Sequence, residues 1–209
     1  MPRERVYTKK GDDGTTGLFY GGRVRKDSEL PRAYGAVDEA QAVLGLARVA
    51  AGPGSELDEM LVPIMRDLWV LMAELATLPE NRSKLVPGGS SVTAEMVTAL
   101  EAVIDALDER FEPPTEFIVP GEHAAAAWLD LARTVVRRAE RHALAAAEPP
   151  SLVVPYLNRL SDLLWTIARW QESQTGSTRT ARSLADAAQS AAGSSSAPSH
   201  STDLQEPTS

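Results

Sequence analysis

The sequence predicts an all-α protein: five helices follow a glycine-rich N-terminal segment and precede a Ser/Ala-rich tail. Apolar residues recur at the helical spacing of three and four positions in five stretches between residues 31 and 173. Proline, glycine and serine cluster between these stretches, where helices end. A strand pattern is confined to the short stretch FIVP at 117–120. The 209 residues suit one domain with a sizeable core.

The first two helices are predicted over residues 31–51 and 55–78. Pro31 suits the first turn of the first helix, and Ser55 suits the N-cap of the second. Pro63 lies near the start of the second stretch and is expected to end or kink its first turns. Residues 79–91 are predicted to form a loop.

The remaining helices are predicted over 93–111, 122–147 and 151–173. Thr93 is the expected N-cap of the third helix, and the prolines at 113–114 end it. Residues 1–26 and 27–175 are assigned to the single domain, as its N-terminal loop segment and its helical bundle. Residues 176–209 contain almost no large apolar side chain, so they are predicted to be a disordered tail.

Composition excludes several classes of function. The net charge of −8 argues against a nucleic-acid binder, and zero cysteines exclude disulfides and thiolate catalysis. The residue spacings give no metal-binding motif, so no metal ligands are predicted in the protein. The N-terminus lacks an apolar signal core and no long apolar run follows, so we expect a soluble cytoplasmic protein that does not bind membranes.

Residues 7–26 are the most informative segment. Residues 1–26 carry seven Lys or Arg against three acids, although the whole chain is acidic. Glycines let a backbone approach a ligand closely, and successive free N–H groups bind anions, so a polyphosphate is the expected guest. The alternative is a flexible basic arm. The segment lacks both GxxxxGK[ST] and GxGxxG, so it is not a Walker loop, and residues from elsewhere should complete the site.

The fourth and fifth helices each carry polar residues along one stripe. Arg133, Arg137, Glu140 and Arg141 share one stripe of ARTVVRRAERHA, where Glu140 could hold Arg137 in position. In YLNRLSDLLWTIARW the stripe consists of Asn158, Asp162, Trp165 and Arg169. A solvated face is the alternative for the fourth helix, and intrahelical hydrogen bonding for the fifth.

Asp38 and Glu39 lie in the first helix beside an otherwise apolar stripe. A carboxylate in such a position requires a basic partner, and the arginines of the fourth helix are candidates. For Glu39 we expect plain surface charge instead.

Four ordered segments together resemble the PduO-type ATP:corrinoid adenosyltransferase family. They are TKKGDDGTTGL with Lys26, AYGAVDEAQAVLGLAR, FIVPG followed by ARTVVRRAER, and YLNRLSDLLWTIAR. The resemblance covers about residues 7–172. It implies a five-helix, ferritin-like bundle that forms a homotrimer with active sites between adjacent subunits.

The resemblance also implies roles for individual residues. The positions that match the ATP contacts of the family are Thr8, Lys9, Lys10, Gly11, Thr16, Gly17, Lys26, Arg137, Arg138, Glu140, Arg141 and Asn158. An ion pair across the subunit interface maps to Asp38 and Arg133, and a corrinoid-facing aromatic ring maps to Phe117. Many relatives have glycine where this chain has Glu122, which affects the turn at that point.

The implied reaction transfers the 5′-deoxyadenosyl group of ATP to cob(I)alamin, with Mg²⁺ bound mainly by phosphate oxygens. The implied catalytic residues are Asp38, Arg133, Phe117 and Arg137. A flavin-dependent reductase and a cobalamin-dependent acceptor enzyme are the expected protein partners. The alternatives are a corrinoid- or nucleotide-binding carrier or sensor without turnover, and a purely structural bundle.

Overall fold

A computed structural model describes residues 7–176 and 179–180, and in this part of the chain five α-helices follow a small β-hairpin. The helices are α1 (Glu29–Ala51), α2 (Glu56–Leu75), α3 (Ala94–Asp108), α4 (Ala124–Ala146) and α5 (Val153–Ser173). A 3-10 helix, Pro79–Lys84, lies in the segment between α2 and α3. The prediction of a mostly helical protein is confirmed.

The helix starts follow the expected capping chemistry. The Ser55 hydroxyl accepts a hydrogen bond from the Asp58 amide at 3.1 Å, and the Thr93 hydroxyl accepts one from the Met96 amide at 3.4 Å. Each satisfies an amide that has no partner within its own helix. α1 begins at Glu29, two residues before the predicted start, so Pro31 still lies in the first turn.

Of the two expected effects of Pro63, an end of the helix is wrong, because α2 runs through this residue, whereas a kink stays a prediction. A proline removes one backbone donor and crowds the preceding turn. The buried residues Leu57, Leu61, Ile64 and Leu68 form one apolar stripe on both sides of Pro63. Packing of this continuous stripe against the core outweighs the local defect.

Helix α4 lies between α1 and α5, and it packs extensively against both. α2 packs against α1, and α3 against α5. Alanines dominate the buried faces of α1 and α4, including Ala33, Ala40, Ala132 and Ala139, each with no exposed surface. Such small side chains allow two helices to approach closely along their length. α5 is buried over most of its circumference, as its apolar composition predicts.

Two short strands in the N-terminal segment were not predicted. β1 (Thr15–Gly17) pairs with β2 (Arg23–Arg25) in antiparallel register, with Thr16 opposite Val24. Their small and charged residues lack the alternation of apolar and polar side chains that reveals a strand. The Phe19 amide donates to the Ala76 carbonyl at 2.8 Å, which attaches the hairpin to the end of α2.

The stretch 117–120 does not form a strand of its own. Ile118 makes one isolated antiparallel bridge, and its partner is Thr180, within the predicted tail. Most of that tail lies outside the described residues, and its disorder stays a prediction. Of the helices that the structure describes, none has the length and hydrophobicity to span a bilayer.

One buried polar contact joins α2 to α5. The hydroxyl of Tyr156, a fully buried side chain, donates to an Asp67 carboxylate oxygen at 2.9 Å. Burial raises the pKa of the Asp67 carboxyl, and the hydrogen bond from Tyr156 partly opposes this effect. Burial and the nearby carboxylate raise the pKa of the Tyr156 hydroxyl, so it stays a proton donor.

We predict that Tyr156→Phe lowers the free energy of unfolding at pH 7 by roughly 1–2 kcal/mol, because a half-buried carboxylate loses its donor. The raised pKa of Asp67 means that the native state holds this proton more tightly than the unfolded chain does. The unfavourable contribution of ionised Asp67 therefore fades as the pH falls through that pKa. The stability deficit of Tyr156→Phe should shrink in the same direction, as measured by urea unfolding between pH 7 and pH 4.

Asp67→Asn is the matched control, since its amide oxygen can still accept from Tyr156 without carrying charge. Its stability relative to the parent should be highest at pH 7 and should decline toward pH 4. A deficit for Tyr156→Phe that is equal at every pH would contradict this account of the contact.

Candidate functional site

The turn before β1 is shaped by the side chain of Asp13. Its carboxylate accepts hydrogen bonds from the Thr15 amide at 2.9 Å and from the Thr15 hydroxyl at 2.7 Å. These bonds, with a smaller contribution from Arg23, hold the pKa of the Asp13 carboxyl below its ordinary value. The turn is therefore stabilised by a carboxylate that stays ionised at neutral pH.

Arg23, on β2, stabilises this turn through hydrogen bonds from the opposite strand. Its guanidinium donates to the Thr15 hydroxyl at 2.6 Å and 3.1 Å and to the Lys10 carbonyl at 2.5 Å. Because these contacts link both ends of the segment between Lys10 and Thr15, they close it into a cradle. The sequence had indicated Arg23 only as added positive charge, and its bracing role depends on strand register, which was not predicted.

Gly11 and Lys26 meet inside the cradle. A β-carbon at Gly11 would lie 3.0 Å from the Lys26 ammonium nitrogen and 3.2 Å from the Thr15 carbonyl oxygen. Glycine thus lets the lysine lie close to the loop, and any larger residue would make Lys26 or the loop backbone shift by a few tenths of an ångström. Lys9 adopts a positive φ of 58°, which turns the chain at the entrance.

The cradle encloses a cleft of about 310 Å³ that is open to solvent. Among the predicted binding residues, those that line it are Thr8, Lys10, Gly11, Thr16, Gly17 and Lys26, and Thr15 and Arg23 complete it. Exposed ammonium groups and a glycine-lined backbone suit an anionic, phosphate-bearing ligand. All the N-terminal binding residues that the sequence predicted, except Lys9, therefore line one cleft.

α4 divides its surface as predicted. Ala132, Val135, Val136 and Ala139 are buried, and Arg137 and Arg141 are exposed on the other side. Glu140 is half-buried, but it accepts a hydrogen bond from the Asn158 side chain at 3.0 Å and makes no ion pair with Arg137 among the described residues. The expected role of Glu140 in holding Arg137 is wrong, because its carboxylate is directed at α5.

The adjacent carboxylates Asp38 and Glu39 of α1 differ in their contacts. Glu39 is an exposed surface charge, as expected, and it forms an ion pair with Arg138 of α4. Asp38 is exposed and has no ion-pair partner within the described part of the chain. Arg133 lies 3.8 Å from Asp130, one turn earlier in its own helix, so the chain alone does not bring Asp38 and Arg133 together.

A buried ionic cluster between α4 and α5 was only partly predicted. The Arg169 guanidinium contacts Asp130 at 2.6 Å and Glu172 at 3.0 Å, and all three side chains are at least nine-tenths buried. Burial raises the pKa of the Glu172 carboxyl, and Asp130 adds to the increase, while Arg169 opposes it. The polar stripe on the fifth helix indicated Arg169, but Asp130 lies in an otherwise apolar stretch and Glu172 lies among polar residues at the helix end.

Phe117 lies in the loop between α3 and α4, and 90% of its surface is exposed. This exposure leaves the ring accessible to a ligand or a partner. Among the described residues, the hydrogen bonds and ion pairs of residues 8–26 reach only residues 8–28 and Ala76 at the end of α2, and none reaches α4 or α5. No such contact therefore joins the cradle to the arginine face, the exposed side of α4 that carries Arg137 and Arg141, within the part of the chain that the structure describes.

The described residues contain no group of three or more His, Cys, Asp or Glu side chains that could hold a metal ion. The charged groups at the surface of the cradle and of α4 are mostly Lys and Arg. Such a set can bind and neutralise a polyanion.

Comparison with known proteins identifies similar chains. The family model described as cobalamin adenosyltransferase matches residues 6–171. The corrinoid adenosyltransferase PduO of Salmonella typhimurium is 40% identical over 171 residues, which cover 80% of this chain and 50% of that protein. The chain thus spans about half the length of that relative. A corrinoid adenosyltransferase of Citrobacter freundii is 39% identical over 172 residues, covering 81% of this chain and 96% of that protein.

Solved structures agree with this similarity. A variant of the PduO-type ATP:corrinoid adenosyltransferase from Lactobacillus reuteri, complexed with cobalamin and ATP, matches with a TM-score of 0.75 and 28% sequence identity. The match covers 85% of this chain and 97% of that one.

We predict that Arg23→Ala weakens the binding of inorganic triphosphate roughly tenfold, which corresponds to about 1.4 kcal/mol. The loss follows from opening of the cradle once the Thr15 and Lys10 contacts are gone. Isothermal titration calorimetry with triphosphate measures the change.

Arg25→Ala is the control, because it removes the same charge from the same strand. Arg25 is exposed and pairs with Asp27, two residues away, outside the cradle. Its binding constant should stay within about twofold of the parent. Equal losses in the two variants would mean that Arg23 contributes charge alone.

Proposed function

The chain belongs to the cobalamin adenosyltransferase family, and from this premise we propose that it transfers the 5′-deoxyadenosyl group of ATP to the cobalt of cob(I)alamin. The electron pair of Co(I) attacks the 5′-carbon, a cobalt–carbon bond forms, and the carbon–oxygen bond to the triphosphate breaks. The observation that carries the proposal is the cradle closed by Arg23 around Gly11 and Lys26, within a chain that matches the family over residues 6–171.

The corrinoid itself is the nucleophile, so the protein needs neither a general base nor a nucleophilic side chain. Its tasks are to align the 5′-carbon with cobalt and to stabilise the charge on the departing triphosphate. Thr8, Lys9, Lys10, Thr16, Gly17 and Lys26 are assigned to the phosphates. Their amide, hydroxyl and ammonium donors match the acceptor oxygens of that leaving group.

The exposed face of α4 and α5 is assigned to the rest of the ATP site. Arg137 and Arg141 present guanidinium groups to solvent, and Arg138 is held against Glu39. The Asn158–Glu140 hydrogen bond fixes two further polar groups at the same face. Asp38 and Arg133 are assigned the role of an ion pair that sets the position of this face relative to the cradle.

We assign the complete site to two neighbouring subunits of a homotrimer built from five-helix bundles. Two features of the described residues support this arrangement: no hydrogen bond or ion pair of the cradle reaches α4, and Asp38 is exposed with no ion-pair partner among them. A neighbouring copy would supply the arginine face for the cradle and Arg133 for Asp38.

Phe117 is assigned to the lower face of the corrin ring. An exposed aromatic ring there excludes water and the axial nitrogen base from cobalt. Loss of an axial ligand favours Co(I) over Co(II), so this contact assists the reduction that precedes transfer. A flavin-dependent reductase is the proposed electron source, and a cobalamin-dependent enzyme in the cytoplasm is the proposed acceptor of the product.

Mg²⁺ is proposed to enter with ATP. The side chains of the cradle are mainly cationic or hydroxyl groups, which fits an ion carried by phosphate oxygens and water rather than by a protein cage. The bound ion would offset phosphate charge beside Lys10 and Lys26.

The direct test is to mix the purified protein with ATP, Mg²⁺ and chemically reduced cob(I)alamin. We expect conversion to adenosylcobalamin with release of one triphosphate per turnover. Absorbance and product chromatography measure this conversion. Binding of both substrates without conversion would favour the carrier or sensor function instead.

We predict that Arg137→Ala lowers the turnover rate by roughly two to three decades while the fold is kept, since one charge-assisted contact to the leaving group is lost. Arg137 is exposed, so its removal leaves no core cavity. Steady-state kinetics with varied ATP and circular dichroism measure the two effects.

Arg66→Ala, which removes an exposed arginine from α2, is the matched control and should retain the parent rate. Normal kinetics for Arg137→Ala in a correctly assembled protein would remove Arg137 from the site.

We also predict that two inactive variants restore each other when they are co-expressed. Asp38→Ala and Arg133→Ala should each be nearly inactive, whereas random mixing at equal amounts leaves about a quarter of the interfaces with both native residues. The recovered rate should approach that fraction of the parent rate. Light scattering on the mixture checks that it is trimeric, and an absence of recovery would mean that the two residues act within one chain.

A further inference from the structure

The loop that carries Phe117 is attached to the chain that follows α5. The Val119 amide donates to the Arg179 carbonyl at 2.9 Å, and Ile118 forms an antiparallel bridge with Thr180. Among the described residues, the bond from Val119 to Arg179 is the one backbone–backbone hydrogen bond made by residues 117–122. The segment 179–180 therefore fixes the backbone directly beside Phe117.

A second contact between the same two segments lies three residues further along the loop. The Arg179 guanidinium nitrogen Nε lies 3.0 Å from a Glu122 carboxylate oxygen, and the Glu122 side chain is three-quarters buried. Between the two contacts lies Gly121, with a φ of 119° that favours glycine. Contacts on both sides of this glycine restrain the most flexible point of the loop.

Charge favours the pairing of Glu122 with Arg179. Glu122 lies close enough to the buried Glu172 to contribute to the raised pKa of that carboxyl, although burial is the main cause. An unpaired Glu122 would therefore add a like charge beside the ionic cluster of α4 and α5. Arg179 supplies the opposite charge at this point.

We infer that residues 179–180 form a clasp that positions Phe117 against the corrin ring, with Glu122 and Arg179 as its positioning residues. The inference rests on the proposed function, which places a corrinoid at Phe117. Because the Phe117 side chain is 90% exposed, its position depends on the backbone on either side, which the clasp holds.

The clasp is a feature of this chain beyond the family match. The matched region ends at residue 171, before Arg179. Glu122, its partner, occupies a position where the resemblance leads one to expect glycine. Arg179 thus lies beyond the matched region, and Glu122 departs from the resemblance within it.

Charge reversal tests the ion pair with the full-length protein. The assay uses cob(II)alamin with a chemical reductant. Arg179→Glu and Glu122→Arg should each raise the KM for cob(II)alamin about five- to tenfold, and the double reversal should return this KM most of the way to the parent value. The KM for ATP should stay within about twofold, because the cradle is untouched. Arg66→Glu is the control for an equal change of charge at an exposed site and should leave both constants unchanged.

Truncation tests the backbone contact. Removal of residues 177–209 should speed hydrogen exchange at the Val119 amide by about tenfold or more, whereas removal of residues 185–209 should not. The first truncation should also raise the corrinoid KM as Arg179→Glu does, and the second should behave as the parent.

The outcomes separate this inference from the proposed function. If the intact chain does not adenosylate cob(I)alamin at all, the proposed function fails and the inference fails with it. If the intact chain is active but the Arg179 variants and the 177–209 truncation keep the parent corrinoid KM, the clasp alone is overturned. Unchanged exchange at Val119 after removal of residues 177–209 would also overturn it.

Discussion

The close packing of α4 between α1 and α5 is the constraint on which the rest of the molecule depends. α4 can meet both neighbours because its inward residues are mostly alanine and valine, which bring the helix axes together. The same packing leaves one face for Arg137 and Arg141, whose charges require water or a ligand. A larger residue at Ala132 or Ala139 would separate the helices and displace that face, so the core and the candidate site share one geometric requirement.

The cluster of Asp130, Arg169 and Glu172 fixes how α4 and α5 align. Buried ion pairs are weak evidence of stability, because desolvation offsets most of their attraction. Their geometry is nevertheless restrictive, because a shift of one helix along the other would leave a buried charge without its partner. The Asn158–Glu140 hydrogen bond joins the same two helices and depends on the same alignment. A cluster that adds little stability can therefore set the position of polar groups at the surface.

Much of the fold was predictable because helices depend on local periodicity and capping. Ser55 and Thr93 cap their helices, and the buried stripe of α4 follows directly from spacing. Pairings between distant segments carry no such signal. The hairpin of β1 and β2, the brace from Arg23 and the bridge from Ile118 to Thr180 each join residues whose local sequence resembles a loop. The helix continues through Pro63 because packing on both sides outweighs the preference of that one residue. In the candidate site, residue types predicted most of the residues that line the cradle, but the direction of the Glu140 carboxylate required the neighbouring helix.

The site combines a rigid part with two less restrained parts, and this division suits the proposed chemistry. The arginine face belongs to a helix packed on two sides, whereas the cradle and the Phe117 loop are held by a few hydrogen bonds and ion pairs. In the proposed reaction a bulky corrinoid must approach ATP, and a loop held by few contacts can adjust its position to it. Leaving-group charge, by contrast, is best stabilised by groups that are already in place. In the proposed mechanism, the core fixes the arginines and the contacts with residues 179–180 hold the Phe117 loop at the corrinoid, so the fold meets both requirements without any catalytic acid or base.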